Sequence, residues 1–319
     1  MLKLRITPLK VEMLRPSKPR FVGCMIGSAV GDALGASFEG LWINKQSIEN
    51  FSFSGRWTDD THMMIGIAES LIANKGFNGE HMAWTFIKNW EREPWRGYGP
   101  GPPRVFRMIK SGVAWDEAAK QLYGGMGSYG NGAAMRVAPV GLFYYDDAEK
   151  LREIAYKSAE ITHTHVLGKE GAALQAYAVA LALKTPLEKF SPSSFLDELT
   201  SFTRVDAYRE KLEKAKALLE RDDKREIIES LGNSVEALNS VPTAIYCFAK
   251  HHESYAKAML YAISLGGDTD TIGAMTGAIA GAHHGLEKIP ENWREKLEKK
   301  DYIEKLANEL WKLKATVNP

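Results

Sequence analysis

Two sets of four glycines, each recurring at every fourth residue, constrain the fold of this chain more than any other feature. They are Gly23, Gly27, Gly31 and Gly35 in "GCMIGSAVGDALG", and Gly273, Gly277, Gly281 and Gly285 in "GAMTGAIAGAHHG". On an α-helix this spacing places each set along one face, at a cost of about 1 kcal/mol per glycine relative to alanine. Close approach of two backbones would offset that cost. We therefore predict that the two helices pack tightly, against each other or against a shared neighbour; alternatively, the glycines merely space an alanine-rich core.

The rest of the chain also has the periodicity of helices. Apolar residues recur at helical spacing, as at Met63, Met64, Ile67 and Leu71, whereas alternating, strand-like runs are nearly absent. A length of 319 residues with 45% hydrophobic residues is ample for a large core. We predict an all-α fold of a dozen or more helices, forming a single domain over residues 20–319. The loop at 184–194 is predicted to lie inside this domain.

Two local features refine this prediction. Residues 1–19 contain Pro8, Pro16 and Pro19 and lack a continuous apolar segment, which indicates an extended N-terminal arm. Further along, Ser240 and Pro242 have the pattern of a helix start in "SVPTAIYCFAKHH", because proline suits the first turn of a helix.

Composition argues against several classes of partner. Lys and Arg total 41 against 40 for Asp and Glu, so a net charge of +1 offers no general attraction for nucleic acid. The most apolar run, 171–183, is shorter than the roughly 18 residues that span a bilayer. Cys24 and Cys247 do not form a paired framework, which is typical of a reducing compartment. We expect a cytoplasmic protein without nucleic-acid or membrane partners, and favour a monomer because no coiled-coil pattern occurs.

Acidic and hydroxyl side chains cluster at the starts of two apolar helices, in "WTDDTHMM" and "SLGGDTDTIGAM". One such cluster could simply cap a helix. Two clusters in apolar surroundings are harder to explain as caps, because unpaired buried carboxylates cost several kcal/mol each. A set of oxygen ligands suits Mg²⁺, with Mn²⁺ as the alternative, and four carboxylates neutralise two divalent ions. The predicted ligands of this two-metal centre are Thr58, Asp59, Asp60, Asp268, Asp270 and Thr271.

Five motifs together resemble the ADP-ribosylglycohydrolase family, whose members are also called ADP-ribosyl-acceptor hydrolases. They are "GDALGASFEG", "WTDDT", "GSYGNGAAMR", "THTHVLG" and "SLGGDTDTIGAMTGAIAGAHHG", in the family's order over about residues 20–295. The resemblance implies a single-domain orthogonal helical bundle with a binuclear metal cleft. "GSYGNGAAMR" and "SVPTAIYCF" look closer to the branch that acts on serine-linked ADP-ribose, poly(ADP-ribose) and O-acetyl-ADP-ribose than to the arginine-directed branch.

The resemblance also implies roles for two acids. Glu39 follows "GDALGASF", where the family pattern has a gating glutamate, and we assign it to gating and proton transfer. Asp268 is assigned as a metal ligand that also activates water. Which carboxylate acts as the base stays open. Asp32, within the first glycine set, either orients the ligands or is a solvated helix residue.

Substrate-binding residues are assigned to glycine-rich loops and their neighbours. "GGMGSYGNGAAMR" precedes an apparent helix start, whose N–H groups would bind a diphosphate. The loop at 95–104 would line the ribose or the diphosphate. Tyr123 and His163 would flank the adenine or its ribose. The alternative for His163 is a purely structural histidine. The predicted residues are Gly97, Gly99, Tyr123, Gly127, Ser128, Tyr129, Gly130, Asn131 and His163.

The expected function is hydrolysis. We predict a Mg²⁺-dependent enzyme that cleaves the glycosidic bond between ADP-ribose and an O-linked acceptor, namely ADP-ribosylserine, O-acetyl-ADP-ribose or poly(ADP-ribose). The alternatives are an arginine-specific ADP-ribosyl hydrolase and a non-catalytic ADP-ribose-binding protein. Retention of the clustered acids argues against loss of the site, because without metal they oppose folding.

Overall fold

The computed structural model describes residues 16–40 and 52–317. Within these ranges the chain forms fifteen α-helices and no β-strand. The first eight are α1 Lys18–Gly35, α2 Asp59–Asn74, α3 Gly79–Arg92, α4 Gly101–Lys110, α5 Ala138–Phe143, α6 Ala148–Glu160, α7 Val166–Lys184 and α8 Pro192–Phe202. The others are α9 Asp206–Ala217, α10 Lys224–Leu231, α11 Ala237–Lys250, α12 Tyr255–Ser264, α13 Thr269–His284, α14 Glu291–Lys296 and α15 Lys300–Val317. The prediction of an all-α fold is confirmed.

Helices α1 and α13 form the centre of the fold, and their glycines are in direct backbone contact. A Cβ atom added at Gly31 would lie 2.1 Å from the carbonyl oxygen of Gly273, and one added at Gly273 would lie 2.5 Å from that of Gly31. The same reciprocal contact joins Gly27 to Gly277 and Gly23 to Gly281. Since real Cβ atoms cannot approach so closely, only glycine permits this packing. The predicted tight pairing of the two helices is confirmed.

The ends of the two glycine sets deviate from the repeat. Gly35 faces the carbonyl of Thr269 rather than another glycine, and the Thr269 hydroxyl donates to the Gly35 carbonyl at 2.9 Å. Gly285 lies beyond α13 with a φ of +84°, where it ends the helix. The contact at Gly35 brings the C-terminal end of α1, and the turn that carries Glu39, against the N-terminal end of α13.

The remaining helices pack around this pair on one contiguous apolar core. The segment 184–194 lies on the outside of that core, where the partly buried Phe190 packs against Phe195 and Phe248. Cys24 and Cys247 are free and buried. Residues 1–15 of the predicted arm lie outside the described ranges, and α1 already begins at Lys18. None of the described helices is both long and apolar enough to cross a membrane.

The predicted start of the helix at Ser240 is wrong. Helix α11 begins at Ala237, and Pro242 lies inside it. A tertiary contact explains the earlier start, because the Ala237 N–H group donates to the carbonyl oxygen of Tyr129 at 3.1 Å. With this bond, the helix begins about one turn earlier in the sequence than proline alone would favour.

Candidate active site

A cavity of about 290 Å³ opens where the C-terminal end of α1 meets the starts of α2 and α13. Its walls come from segments that are far apart in the sequence, and all but three of the predicted site residues line it. These are Glu39, Asp59, Asp60, Gly97, Gly99, Tyr123, Ser128, Gly130, Asn131, His163, Asp268, Asp270 and Thr271. The rest of the lining was not among the predicted residues: Met63, Pro100, Gly101, Pro102, Gly132, Met135, Thr162 and Val235.

The three exceptions lie close by. Thr58 caps α2, where its hydroxyl oxygen accepts from the Asp60 N–H group. Gly127 and Tyr129 line an adjoining pocket of about 360 Å³, which also contains Met126. Gly127 has a φ of +72°, and a Cβ there would lie 2.0 Å from the Thr164 hydroxyl oxygen, so the turn itself requires glycine. Tyr129 is half-exposed.

Three carboxylates converge at the floor of the cleft. Glu39, Asp268 and Asp270 each offer an oxygen atom, and these atoms all lie within 4.8 Å of one another. Asp268 and Asp270 are buried, whereas Glu39 is exposed. Glu39 was predicted to act in gating and proton transfer, as a metal-linked glutamate that was not itself among the predicted ligands, so its place within this group adds a potential ligand to that set.

The second acidic cluster faces this group. Asp60 is buried, and among the described residues its Oδ2 atom has no hydrogen-bond partner. Burial and the nearby Asp270 raise the pKa of Asp60 well above its ordinary value. Burial and Asp32 raise the pKa of Asp59 to about 7, and burial and Asp268 raise that of Asp270 to about 9. An unpaired buried carboxylate oxygen among mutually repelling acids fits a divalent cation that prefers oxygen ligands.

Asp32 organises the start of α2. Its buried carboxylate accepts hydrogen bonds from the N–H groups of Thr58 and Thr61, both at 3.0 Å, and from their hydroxyls at 2.9 and 2.6 Å. Of the two interpretations of Asp32, the orienting role agrees with these contacts and the solvated one does not. The alternative of a simple cap applies only to Thr58, because the Asp268 side chain makes no capping bond at α13.

The glycine-rich loop differs from its predicted form. Only a short 3₁₀ turn, Asn131–Ala133, follows it, so the expected helix dipole is largely missing. The loop instead pairs with the segment before α11, since the Asn131 N–H group donates to the Val235 carbonyl at 2.9 Å. The Asn131 amide donates to the Asp268 carboxylate at 2.5 Å and to the Ser240 hydroxyl at 3.1 Å. The Asn131 amide therefore orients Asp268, and Asn131, predicted to bind substrate, also lines the cleft.

His163 lies in the wall of the cleft and is almost fully buried. Burial, together with the charge of Arg136, lowers the pKa of His163 to about 3, so the ring is neutral at physiological pH. A Cβ added at Gly132 would lie 2.8 Å from the ring, so glycine is needed at this position to accommodate the histidine. Neither Gly132 nor Arg136 was predicted, because their importance arises from contacts between distant segments.

The fold and this acid-lined cleft define an all-α protein with a site suited to metal, and comparison with known proteins gives its class. The sequence profile described as ADP-ribosylglycohydrolase matches residues 14–319. The chain is 36% identical to ADP-ribosylhydrolase ARH3 of Gallus gallus, covering 95% of each chain. Identity to the Homo sapiens protein of that name is 36%, covering 92% of this chain and 93% of that one. A solved structure described as an ADP-ribosylglycohydrolase-related protein complex superposes with a TM-score of 0.73 at 28% identity, covering 93% and 98%.

This chain therefore belongs to the ADP-ribosylglycohydrolase family. The family is metal-dependent, and its members hydrolyse glycosidic bonds of ADP-ribose.

Proposed function

We propose that the protein is a Mg²⁺-dependent hydrolase that releases ADP-ribose from an O-linked acceptor such as serine. The observation that carries this proposal is the convergence of Glu39, Asp268 and Asp270 at the floor of the cleft. Membership of the family supports the reaction class, and the motifs around Asn131 and Val241 support the O-linked branch. O-acetyl-ADP-ribose and poly(ADP-ribose) are the related substrates of this proposal.

The proposed metal ligands are Thr58, Asp59, Asp60, Asp268, Asp270 and Thr271, with Glu39 close enough to join them. Four aspartates match the charge of two divalent cations, and the Oδ2 atom of Asp60 offers an oxygen that no described residue satisfies. Bound Mg²⁺ or Mn²⁺ would supply Lewis-acid stabilisation of substrate oxygens and lower the pKa of a coordinated water.

Two carboxylates of the cleft, Glu39 and Asp268, are proposed to carry out the two proton transfers of the reaction. Cleavage breaks the bond between the anomeric carbon and the acceptor oxygen, through an oxocarbenium-like state, and water adds to that carbon. Burial, with the repulsion of Asp268, raises the pKa of Glu39, which suits an acid that protonates the departing acceptor oxygen. Asp268, held by the Asn131 amide, accepts the proton of the attacking water.

Binding of the ADP-ribose moiety is proposed to use the rest of the cleft. The loops at Gly97 and at Ser128–Asn131 approach the carboxylates and would leave room for the ribose and diphosphate. Tyr123 and Tyr129 are each about half exposed, at 47% and 50%, beside the adjoining pocket, where an adenine base would stack.

A panel of acceptors tests the proposal. Release of free ADP-ribose is measured from an ADP-ribosylserine peptide, from O-acetyl-ADP-ribose and from an ADP-ribosylarginine peptide of matched sequence. We expect turnover of the first two in Mg²⁺ and little release from the arginine linkage. Preference for arginine would overturn the O-linked assignment. Binding of ADP-ribose in calorimetry without turnover of any substrate would instead identify a non-catalytic binding protein.

A further inference from the structure

A buried arginine lies directly behind the wall of the cleft. The Arg136 side chain has no solvent exposure, and its guanidinium donates to the Ser158 carbonyl at 3.0 Å and to the Thr162 hydroxyl oxygen at 2.8 Å. These acceptors are neutral, and burial lowers the pKa of Arg136 to about 9. Burying a charge among neutral partners is energetically costly, so we expect Arg136 to have a role besides packing.

The contact between Arg136 and Thr162 determines the direction of the hydrogen bond between Thr162 and His163. A guanidinium can only donate, so the Thr162 oxygen is the acceptor, and its one hydrogen remains to be placed. Thr162 is buried, and within the described ranges the other hydrogen-bonding neighbour of its hydroxyl is Nδ1 of His163, at 2.7 Å. If Nδ1 carried a proton, the hydroxyl hydrogen would be buried without an acceptor, which is costly. Thr162 therefore donates to Nδ1.

We infer that Arg136 and Thr162 fix the tautomer of His163, so that its Nε2–H group is a permanent hydrogen-bond donor to the bound ligand. The ring is neutral, so its single proton must be on Nε2. Arg136 and Thr162 are positioning residues in this arrangement, and His163 is the residue that touches the ligand.

The surroundings of Nε2 indicate what it binds. Nε2 lies 3.6 Å from the position of a Cβ at Gly130, and the Ser128 hydroxyl oxygen lies 3.3 Å from the same point. Ser128 accepts a hydrogen bond from the Gly130 N–H group at 3.2 Å, which leaves its own hydrogen to be donated elsewhere. Two donors thus flank one glycine in the cleft, an arrangement suited to an oxygen acceptor, either a phosphate oxygen or a ribose hydroxyl. The identity of this ligand rests on the proposed function, whereas the tautomer does not.

The tautomer is measured by NMR of the full chain with ¹⁵N-labelled histidine, in the absence of ligand. We expect a protonated, pyrrole-type Nε2 and a pyridine-type Nδ1 for His163. In Thr162→Ser this pattern should persist, whereas in Thr162→Val the Nδ1 signal should move toward that of an unbonded pyridine-type nitrogen. A proton on Nδ1 in the wild type, or an Nδ1 signal that does not respond to Thr162→Val, overturns the inference whatever the enzyme's substrate.

Ligand binding is tested with two substitutions of His163. His163→Gln places an amide N–H group near the position of Nε2, whereas His163→Asn places one near Nδ1. We expect the dissociation constant for ADP-ribose to stay within about threefold in the first and to rise about tenfold in the second, the scale of one lost hydrogen bond. Equal affinities for both variants and the wild type overturn the donor role. If His163→Asn weakens the binding of AMP but not that of adenosine, the acceptor is a phosphate oxygen. If it weakens the binding of both, the acceptor is a ribose hydroxyl.

Discussion

Asp32 and Thr58 are joined by three hydrogen bonds. The Thr58 N–H group lies 3.0 Å from each carboxylate oxygen of Asp32, and the Thr58 hydroxyl donates to Oδ1 at 2.9 Å. Asp32 belongs to α1, the helix whose glycines contact α13, and Thr58 caps α2. The packing of α1 thus sets where both acidic clusters stand relative to each other.

Asp32→Asn should weaken metal binding without unfolding the protein. The amide keeps the shape of the carboxylate but turns one of its acceptor atoms into a donor, so the start of α2 loses its orientation. We expect the affinity for Mg²⁺, measured by calorimetry, to fall about 10- to 100-fold, the usual effect of losing a residue that orients metal ligands. Asp206→Asn, an exposed site on α9, is the control. Unchanged affinity in Asp32→Asn would mean that the hydrogen bonds to Thr58 do not organise the metal site.

The metal-free protein should become less stable as the pH rises. The folded protein raises the pKa of Asp59 to about 7 and that of Asp270 to about 9, both above the ordinary value of 3.8. Between the ordinary pKa of 3.8 and these raised values, the native state therefore binds more protons than the unfolded state. The free energy of unfolding falls as the pH increases through this range. In EDTA we expect the melting temperature to decline from about pH 5 to about pH 8.5.

Added Mg²⁺ should reverse this trend, because the cation replaces the protons that hold the acids together. The rise in melting temperature on adding Mg²⁺ is expected to be larger at the upper end of the pH range than at the lower end. An equal rise at both ends would show that metal binding is not linked to these carboxylates.

Gly31→Ala should destabilise the fold, although alanine is the better helix former. A Cβ there would lie 2.1 Å from the Gly273 carbonyl oxygen, so α1 and α13 must separate. We expect a loss of about 1–3 kcal/mol or more in urea unfolding, against a helix-propensity gain of about 1 kcal/mol. Gly99→Ala is the control, because within the described part of the chain no atom beyond its two chain neighbours lies within 4 Å of the added Cβ. Gly31→Ala with wild-type stability would refute the contact.

Asn131→Ala should impair turnover more than binding, because the Asn131 amide holds Asp268 rather than remaining free for substrate. We expect kcat to fall about tenfold, with KM changing less, since one charge-assisted hydrogen bond is lost. Ser240→Ala removes the other partner of the amide and leaves the bond to Asp268 in place, so it should have a small effect. A raised KM at constant kcat in Asn131→Ala would contradict this expectation and favour the direct substrate-binding role predicted from the sequence.

The elements that could be predicted from sequence depend on local periodicity. Glycines four residues apart on one helix face identify a close helix contact without reference to its partner, and the pairs of Gly27 with Gly277 and Gly31 with Gly273 confirm it. The acidic clusters were recognisable because carboxylates at Asp60 and Asp270 stand where an apolar helix should begin. Both features are visible within a dozen residues of sequence.

What could not be predicted depends on contacts across the fold. Pro242 suggested a helix start, but the helix begins earlier in the sequence, at Ala237, whose N–H group bonds to Tyr129. The Asn131 amide meets Asp268, 137 residues away, and no local pattern relates the two. The role of Arg136 is likewise invisible in sequence, because it depends on the exact positions of Thr162 and His163.

The most direct test of the proposed function compares wild type with Asp270→Asn in the release of ADP-ribose from an ADP-ribosylserine peptide, in Mg²⁺ and in EDTA. Circular dichroism confirms that each protein is folded. We expect release by the wild type in Mg²⁺ only, and a loss of at least about a thousandfold in Asp270→Asn, consistent with removal of a metal ligand from the reaction centre. Equal release in EDTA, or by Asp270→Asn in Mg²⁺, would contradict a metal-dependent reaction at this carboxylate cluster.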